Sequence, residues 1–252
     1  VGSMHVLLFD IDGTLIDTRG SGMRALQLAL GEFGHGPPPA SIDTCGRTDR
    51  AIVDQLFAAY GVRNSKRNWQ RFMDRYLENL TAMLPQSEGV VLPEVLPLLE
   101  RLSDRADVAM GLLTGNTPEG ARIKLRHFGL EHYFAFGGFG ETHAARGGVA
   151  EAAVAAARQY LGRNRPWTSV WVIGDTPQDV ACARQIRARS LAVASGRYGR
   201  ADLAEQQPDL LLDDLSQAPR MWELWDPEAD SMESPTRSEP QSTAIANTGS
   251  LQ

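Results

Sequence analysis

Cysteine is nearly missing from this chain: among 252 residues only Cys45 and Cys182 occur, far apart and in no C-x-x-C pattern. Their separation argues against a disulfide framework or a cysteine-ligated zinc site and makes a reducing compartment the expectation. Lysine is nearly missing too, with Lys66 and Lys124 the sole examples among 25 lysines and arginines. No apolar run reaches the roughly 20 residues of a membrane-spanning helix, and the opening "VGSMHVLLF" lacks the charged start and long apolar stretch of a secretory signal. An excess of basic charge is lacking as well. The formal net charge is −6 and the isoelectric point is about 5.4, which gives no global electrostatic case for nucleic acid. The expectation is a soluble, cytoplasmic protein with neither a nucleic-acid nor a membrane partner.

What is present is ordinary for a globular fold, with 42% hydrophobic and 22% charged residues. Apolar runs at 5–9, 108–113, 169–173 and 190–194, and a weaker one at 210–212, read as buried strands. Helical patterns near 117–128, 148–161 and 177–187 separate the later ones. Strands alternating with helices predict an α/β protein with a doubly wound, mostly parallel, Rossmann-like sheet. From about Gly20 to Leu84 the pattern changes. "MRALQLALGEF", then Ile52, Val53, Leu56, Phe57 and Tyr60, then Trp69, Phe72, Met73, Tyr76 and Leu80 repeat at helical spacing, and Thr48 is a plausible N-cap. This is an all-α insertion between the first two strands of the sheet. The expected division is a core of residues 4–16 and 89–225, a helical insertion at 17–88, and a disordered Ser-, Pro-, Glu- and Thr-rich tail at 226–252.

Open α/β sheets bind ligands beyond the carboxyl ends of their strands. There the chain places Asp10-Ile11-Asp12-Gly13-Thr14, Thr114-Gly115-Asn116-Thr117, and Gly174-Asp175-Thr176-Pro177-Gln178-Asp179. Strand alternation turns Asp10 and Asp12 to the same side. Two carboxylates so close repel when ionised, unless one keeps a proton or a cation intervenes. With Asp175 nearby, a hard divalent ion bound by carboxylates, waters and a phosphate oxygen is the natural solution, and Mg²⁺ fits it. Three unrelated turn aspartates are the bland alternative, made improbable by the joint pattern.

"DIDGTL", "LLTGN" and "VIGDTPQD", in that order, resemble three motifs of the haloacid dehalogenase-like hydrolases, over roughly Met4 to Leu215. The helical insertion is similar to the cap of the phosphoglycolate phosphatase and β-phosphoglucomutase type. The resemblance implies that Asp10 is a nucleophile forming an aspartyl-phosphate, and that Asp12 is the general acid and then the base. It implies Mg²⁺ held by Asp10, Asp175 and the carbonyl of Asp12, with Asp179 orienting the ligand shell. Thr114 and the amides of Gly115 or Asn116 would bind the phosphoryl group. The family usually has a lysine before the last motif; here Arg146 is the best candidate, with Lys124 as its rival. Arg47, in "TCGRTDRAIVD", is a candidate for a second anionic group on the substrate. Asp49 and Arg50 read as an exposed helix start.

The implied partner is a small phosphorylated metabolite and the implied activity a phosphomonoester hydrolysis, with phosphoglycolate the leading substrate. A sugar phosphomutase uses the same aspartate and is the alternative. A halide-releasing enzyme has no need of Asp12, and a phosphonatase would need a reactive cap lysine, for which only Lys66 is available. The alternative outside enzymes is a phospho-accepting signalling module, disfavoured by the first-strand position of Asp10 and the long helical insertion. "FGGFGE" at 136–141 reads as a mobile loop near the rim, and "RNSKRNWQR" at 63–71 as a solvated segment between helices.

Overall fold

A computed structural model describes residues 4–34 and 44–218. The tail expected at 226–252 and the last residues assigned to the core lie outside that range. The first strand, β1 (Met4–Phe9), is buried at every position, as an uninterrupted apolar run requires when both sheet faces are covered. The chain leaves it through a tight turn in which the amides of Thr14, Leu15 and Ile16 all donate to the Ile11 carbonyl. Two short strands, β2 (Ile16–Asp17) and β3 (Val90–Val91), then pair antiparallel, Ile16 opposite Val91. They form a two-stranded stem at the exit to the helical segment and the return from it.

Between the stem strands lie α1 (Ser21–Leu30), α2 (Asp49–Ala59) and α3 (Lys66–Met83). Thr48 caps α2 and Ser65 caps α3, their hydroxyls accepting the amides of Ala51 and Asn68. Capping by Ser65 moves most of the basic 63–71 stretch into the exposed start of α3, rather than leaving it between helices. The three helices bury a cluster of their own around Leu26, Ile52, Phe57, Phe72, Tyr76 and Leu80. Within it Phe57 and Phe72 meet edge to face, 5.6 Å between centroids. Burying one such ring contributes about 1.5–3 kcal/mol.

After β3 come α4 (Val95–Ser103), β4 (Val108–Thr114), α5 (Pro118–His127), β5 (Gly137–Phe139), α6 (Arg146–Leu161), β6 (Trp167–Gly174), α7 (Pro177–Gln185), β7 (Arg189–Val193), α8 (Arg200–Ala204) and β8 (Leu210–Leu212). The main sheet is six-stranded and parallel, in the order β5-β4-β1-β6-β7-β8. A central β1, flanked by β4 and β6, brings the ends carrying Asp10, Thr114 and Asp175 side by side. The second α/β cluster packs β1 and β4 residues such as Leu8 and Leu113 against Val149 and Ala153 of α6.

Two expectations are corrected here. The glycine-rich 136–141 stretch is not a free loop: residues 137–139 form the edge strand β5, paired with Leu112, Leu113 and Thr114. Its glycines serve close packing, since a Cβ on Gly138 would fall on the Val149 carbonyl oxygen of α6. Arg146 does not precede a helix but is the first residue of α6, because the Gly147-Gly148 pair does not break the chain there. The Gly148 amide already closes a turn onto the Ala145 carbonyl at 3.1 Å.

Candidate active site

Asp10 follows β1 directly, its amide held to the Ile173 carbonyl of β6 at 2.9 Å. It is 5% exposed, and its carboxylate lies 3.1 Å from Nη2 of Arg146. Burial pushes its pKa up to about 6; the Arg146 guanidinium opposes that rise, while the charges of Asp179 and Asp12 add to it. The same Arg146 nitrogen also pairs with Asp179. Burial lowers the arginine's pKa, but Asp10 and Asp179 outweigh it and hold the cation firmly. Arg146 Nε is buried with no partner.

Asp175 follows β6, is 2% exposed and accepts the Thr14 hydroxyl at 3.1 Å. Burial and then the charges of Asp10 and Asp179 push its pKa well above the usual carboxylate range. The turn that brings Thr14 there depends on Gly13. That residue has a φ of +86°, and a Cβ on it would overlap the Asp175 carboxylate. Asp179 forms a reciprocal cap with Thr176 at the start of α7: its Oδ2 accepts the Thr176 amide at 3.1 Å and hydroxyl at 2.6 Å.

One oxygen from each of Asp10, Asp175 and Asp179 lies within 4.8 Å of the others, and all three residues are buried. Burial, reinforced by the neighbouring carboxylates, drives two of the three toward their neutral forms, although Arg146 lies between Asp10 and Asp179. Hard oxygen donors in that state fit a divalent cation of the Mg²⁺ kind. The cluster contains the side chains of Asp10 and Asp175, as the resemblance implies, and adds that of Asp179; Asp12, for which the resemblance implies a contact through its carbonyl, has its carboxylate engaged elsewhere.

That engagement is with Lys124. The ammonium, on α5, reaches both carboxylate oxygens of Asp12, at 2.8 and 2.6 Å, and Oδ1 of Asn116 at 2.7 Å. Lys124 is 4% exposed, so it is no solvated helix lysine. Asn116 in turn donates its Nδ2 to Asp12 Oδ2 and to the Thr114 hydroxyl, both at 2.8 Å. Thr114, Asn116, Asp12 and Lys124 thus form one connected network beside the Asp10 cluster, while the Gly115 carbonyl accepts the Asp49 amide.

Asp10 and Arg146 from the first network, and Asp12, Thr114, Asn116 and Lys124 from the second, line a cavity of about 280 Å³. The helical segment closes it with Met23, Leu26, Ile52 and Tyr76, and with Arg47 and Asp49. The Arg47 guanidinium lies against the helix that follows it, α2, donating to Gln55 and, at 3.4 Å, to the Ala51 carbonyl. Asp49, expected at an exposed helix start, and Tyr76, expected only as part of an apolar helix face, both reach this cavity. Asp49 is not exposed but 6% accessible, and burial pushes its pKa up to about 6, with Lys124 and the Thr117 amide opposing. An acidic first helical turn is too common to signal such a site. Burial also pushes the Cys182 thiol up to about 12, which suits an inert core cysteine. No described helix is long and apolar enough to cross a membrane.

Comparison with known proteins agrees with this geometry. The family described as "Haloacid dehalogenase-like hydrolase" matches residues 7–193. The chain is 28% identical over 223 residues to a phosphoglycolate phosphatase of Synechococcus elongatus, covering 85% of this chain and 97% of that one. It is 26% identical over 211 residues to a phosphoglycolate phosphatase of Agrobacterium fabrum, covering 83% and 88%. Among solved structures, a hydrolase from Pseudomonas syringae superposes with a TM-score of 0.63 at 19% identity, covering 87% and 99%. The Mycobacterium tuberculosis protein tyrosine kinase A superposes with a TM-score of 0.55 at 26% identity, covering 80% and 88%.

Proposed function

The chain belongs to the haloacid dehalogenase-like hydrolases, and from that membership we propose that it is a Mg²⁺-dependent phosphatase of small metabolites. It works through an aspartyl-phosphate on Asp10, with the helical segment serving as its cap. The observation that carries this reading is the meeting of two ion pairs on one small cavity: Asp10 with Arg146 on one side, and Asp12 with Lys124 on the other. Phosphoglycolate is the leading substrate, supported by the names of two relatives and by a cavity of about 280 Å³.

The chain's own residues divide the work. An Asp10 oxygen attacks phosphorus as the ester P–O bond breaks, and Asp12 gives its proton to the departing alkoxide. Asp12 then takes a proton from water, whose oxygen attacks the same phosphorus. The Asp10 carboxylate is released together with inorganic phosphate. Arg146 keeps a positive charge against the nucleophile and toward the equatorial phosphoryl oxygens, the place the family usually gives to lysine. Thr114 and the amides of Gly115 and Asn116 donate to those oxygens. Asp10, Asp175 and Asp179 would hold Mg²⁺, which when bound neutralises carboxylate charge and stabilises negative charge on the transferring group.

The test is a phosphate-release screen over small esters, including phosphoglycolate and hexose phosphates, with Asp10→Asn as control. Release that requires Mg²⁺ and vanishes in the variant is the expected result. Turnover undiminished by the substitution would sink the nucleophile assignment. Conversion between sugar phosphates without phosphate release would transfer the reading to a mutase.

A further inference from the structure

Asp49 opens α2 immediately after Thr48, whose hydroxyl accepts the Ala51 amide at 3.1 Å and so caps the helix. An acidic residue in a first turn ordinarily remains solvated and faces its own helix's free amides. Asp49 instead turns to another part of the chain. Its amide donates to the Gly115 carbonyl at 2.7 Å, and its Oδ2 accepts the Thr117 amide at 2.7 Å. One residue of the helical segment therefore grips both ends of the 115–117 stretch. Arg50 adds a bond from its amide to the Gly140 carbonyl at 3.0 Å, and the Gly140 amide returns to the Asn116 carbonyl at 2.8 Å.

The grip extends to α5. Thr117 is the N-cap of that helix, its hydroxyl accepting the Gly120 amide, and Lys124 lies two turns further along it. The Lys124 ammonium acts on the Asp49 carboxylate as an attractive charge while bonding Asp12 and Asn116. Burying a carboxylate is unfavourable unless specific partners compensate it. Nothing in α2 requires that burial, since Thr48 already satisfies the start of the helix.

We infer that Asp49 is a positioning residue that clasps the phosphoryl-binding stretch 115–117. Through Thr117 and Lys124 it fixes the ammonium against Asp12 and Asn116. Its kinetic consequence rests on the phosphatase reading; its structural consequence does not.

The test compares the full chain with Asp49→Ala and Asp49→Asn by amide hydrogen exchange without substrate, and by phosphate release from the best ester. Asp49→Ala is expected to raise exchange over 115–125 about tenfold while leaving 167–185 unchanged. Asp49→Asn, whose amide oxygen still accepts the Thr117 amide, restores that protection. In kinetics, kcat falls about tenfold in Asp49→Ala with KM within about threefold, and Asp49→Asn recovers part of kcat. Unchanged exchange over 115–125 in Asp49→Ala would overturn the inference. So would a rise spread over the whole chain with kcat per folded molecule intact, which marks a merely structural role. A wild-type protein inert toward every ester would refute the phosphatase reading, and the exchange comparison would still decide the clasp.

Discussion

Replacing Asp10 by Asn should abolish turnover and at the same time stabilise the metal-free protein. The carboxylate is 5% exposed, and its pKa rises from 3.8 to about 6 on folding, chiefly through burial. At 1.36 kcal/mol per pH unit, ionised Asp10 lowers stability by about 3 kcal/mol at pH 7 relative to its neutral form. The sign follows from proton binding. Between pH 4 and 6 the folded protein retains a proton that the unfolded chain has released, so stability falls as pH rises through that window. Asn approximates the neutral acid at every pH. The variant's advantage should be near zero below about pH 4 and full above about pH 6, where it corresponds to about 6–12 °C in Tm for a protein of this size. Thermal melts in chelator from pH 4 to 8 measure it. Adding Mg²⁺ at a hundredfold excess over its Kd should return about 2.7 kcal/mol to the wild type and less to the variant. A variant melting at or below the wild type at pH 7, or a gap that widens toward acid, would refute the reasoning.

Arg146→Ala should lower phosphate release about a hundredfold or more and destabilise by about 3–5 kcal/mol in denaturant titration, because Asp10 and Asp179 lose their shared cation. A severe loss confined to Lys124→Ala, with Arg146→Ala still turning over, would pass the phosphate role to Lys124. Gly13→Ala should lower stability by about 1–3 kcal/mol, since it forces a side chain to φ +86° against the Asp175 carboxylate; a neutral melt would contradict that geometry. Cys182, with a pKa near 12, should resist iodoacetamide at pH 8 until the protein is unfolded, as followed by mass mapping of the alkylated peptide.

What could be read in advance depended on how loudly each element speaks. β1, β4 and β6 each contain a run of apolar residues leading to a carboxylate or hydroxyl, so both the strands and the ends that carry Asp10, Thr114 and Asp175 were legible. β5 was not, because three residues containing two glycines carry no β-forming signal; its place is set by β4 and by the close approach of α6. The helical faces around Phe57 and Tyr76 were legible from spacing alone, but which of their residues reach the cavity depends on how the segment lies over the sheet. Asp49 illustrates the limit. Its place after an N-cap is what any helix start offers, and only the carbonyl of Gly115 and the amide of Thr117 distinguish it.

The scarcity of lysine acquires a physical meaning in the site. In the proposed mechanism two neighbouring aspartates face opposite demands: Asp10 attacks phosphorus, while Asp12 exchanges a proton. The chain gives each its own cation, Arg146 beside Asp10 and Lys124 on Asp12. An arginine suits the first position because a guanidinium stays charged among buried carboxylates, where its Nη2 meets both Asp10 and Asp179. A lysine suits the second because a compact ammonium fits between both Asp12 oxygens and the Asn116 oxygen. Exchanging the two residue types would place a planar fork where three oxygens converge on a point, and an ammonium on a shorter stem where Arg146 reaches Asp10 and Asp179. The double exchange of Arg146→Lys with Lys124→Arg should therefore fall well below either conservative substitution alone, although the charge of the site is unchanged.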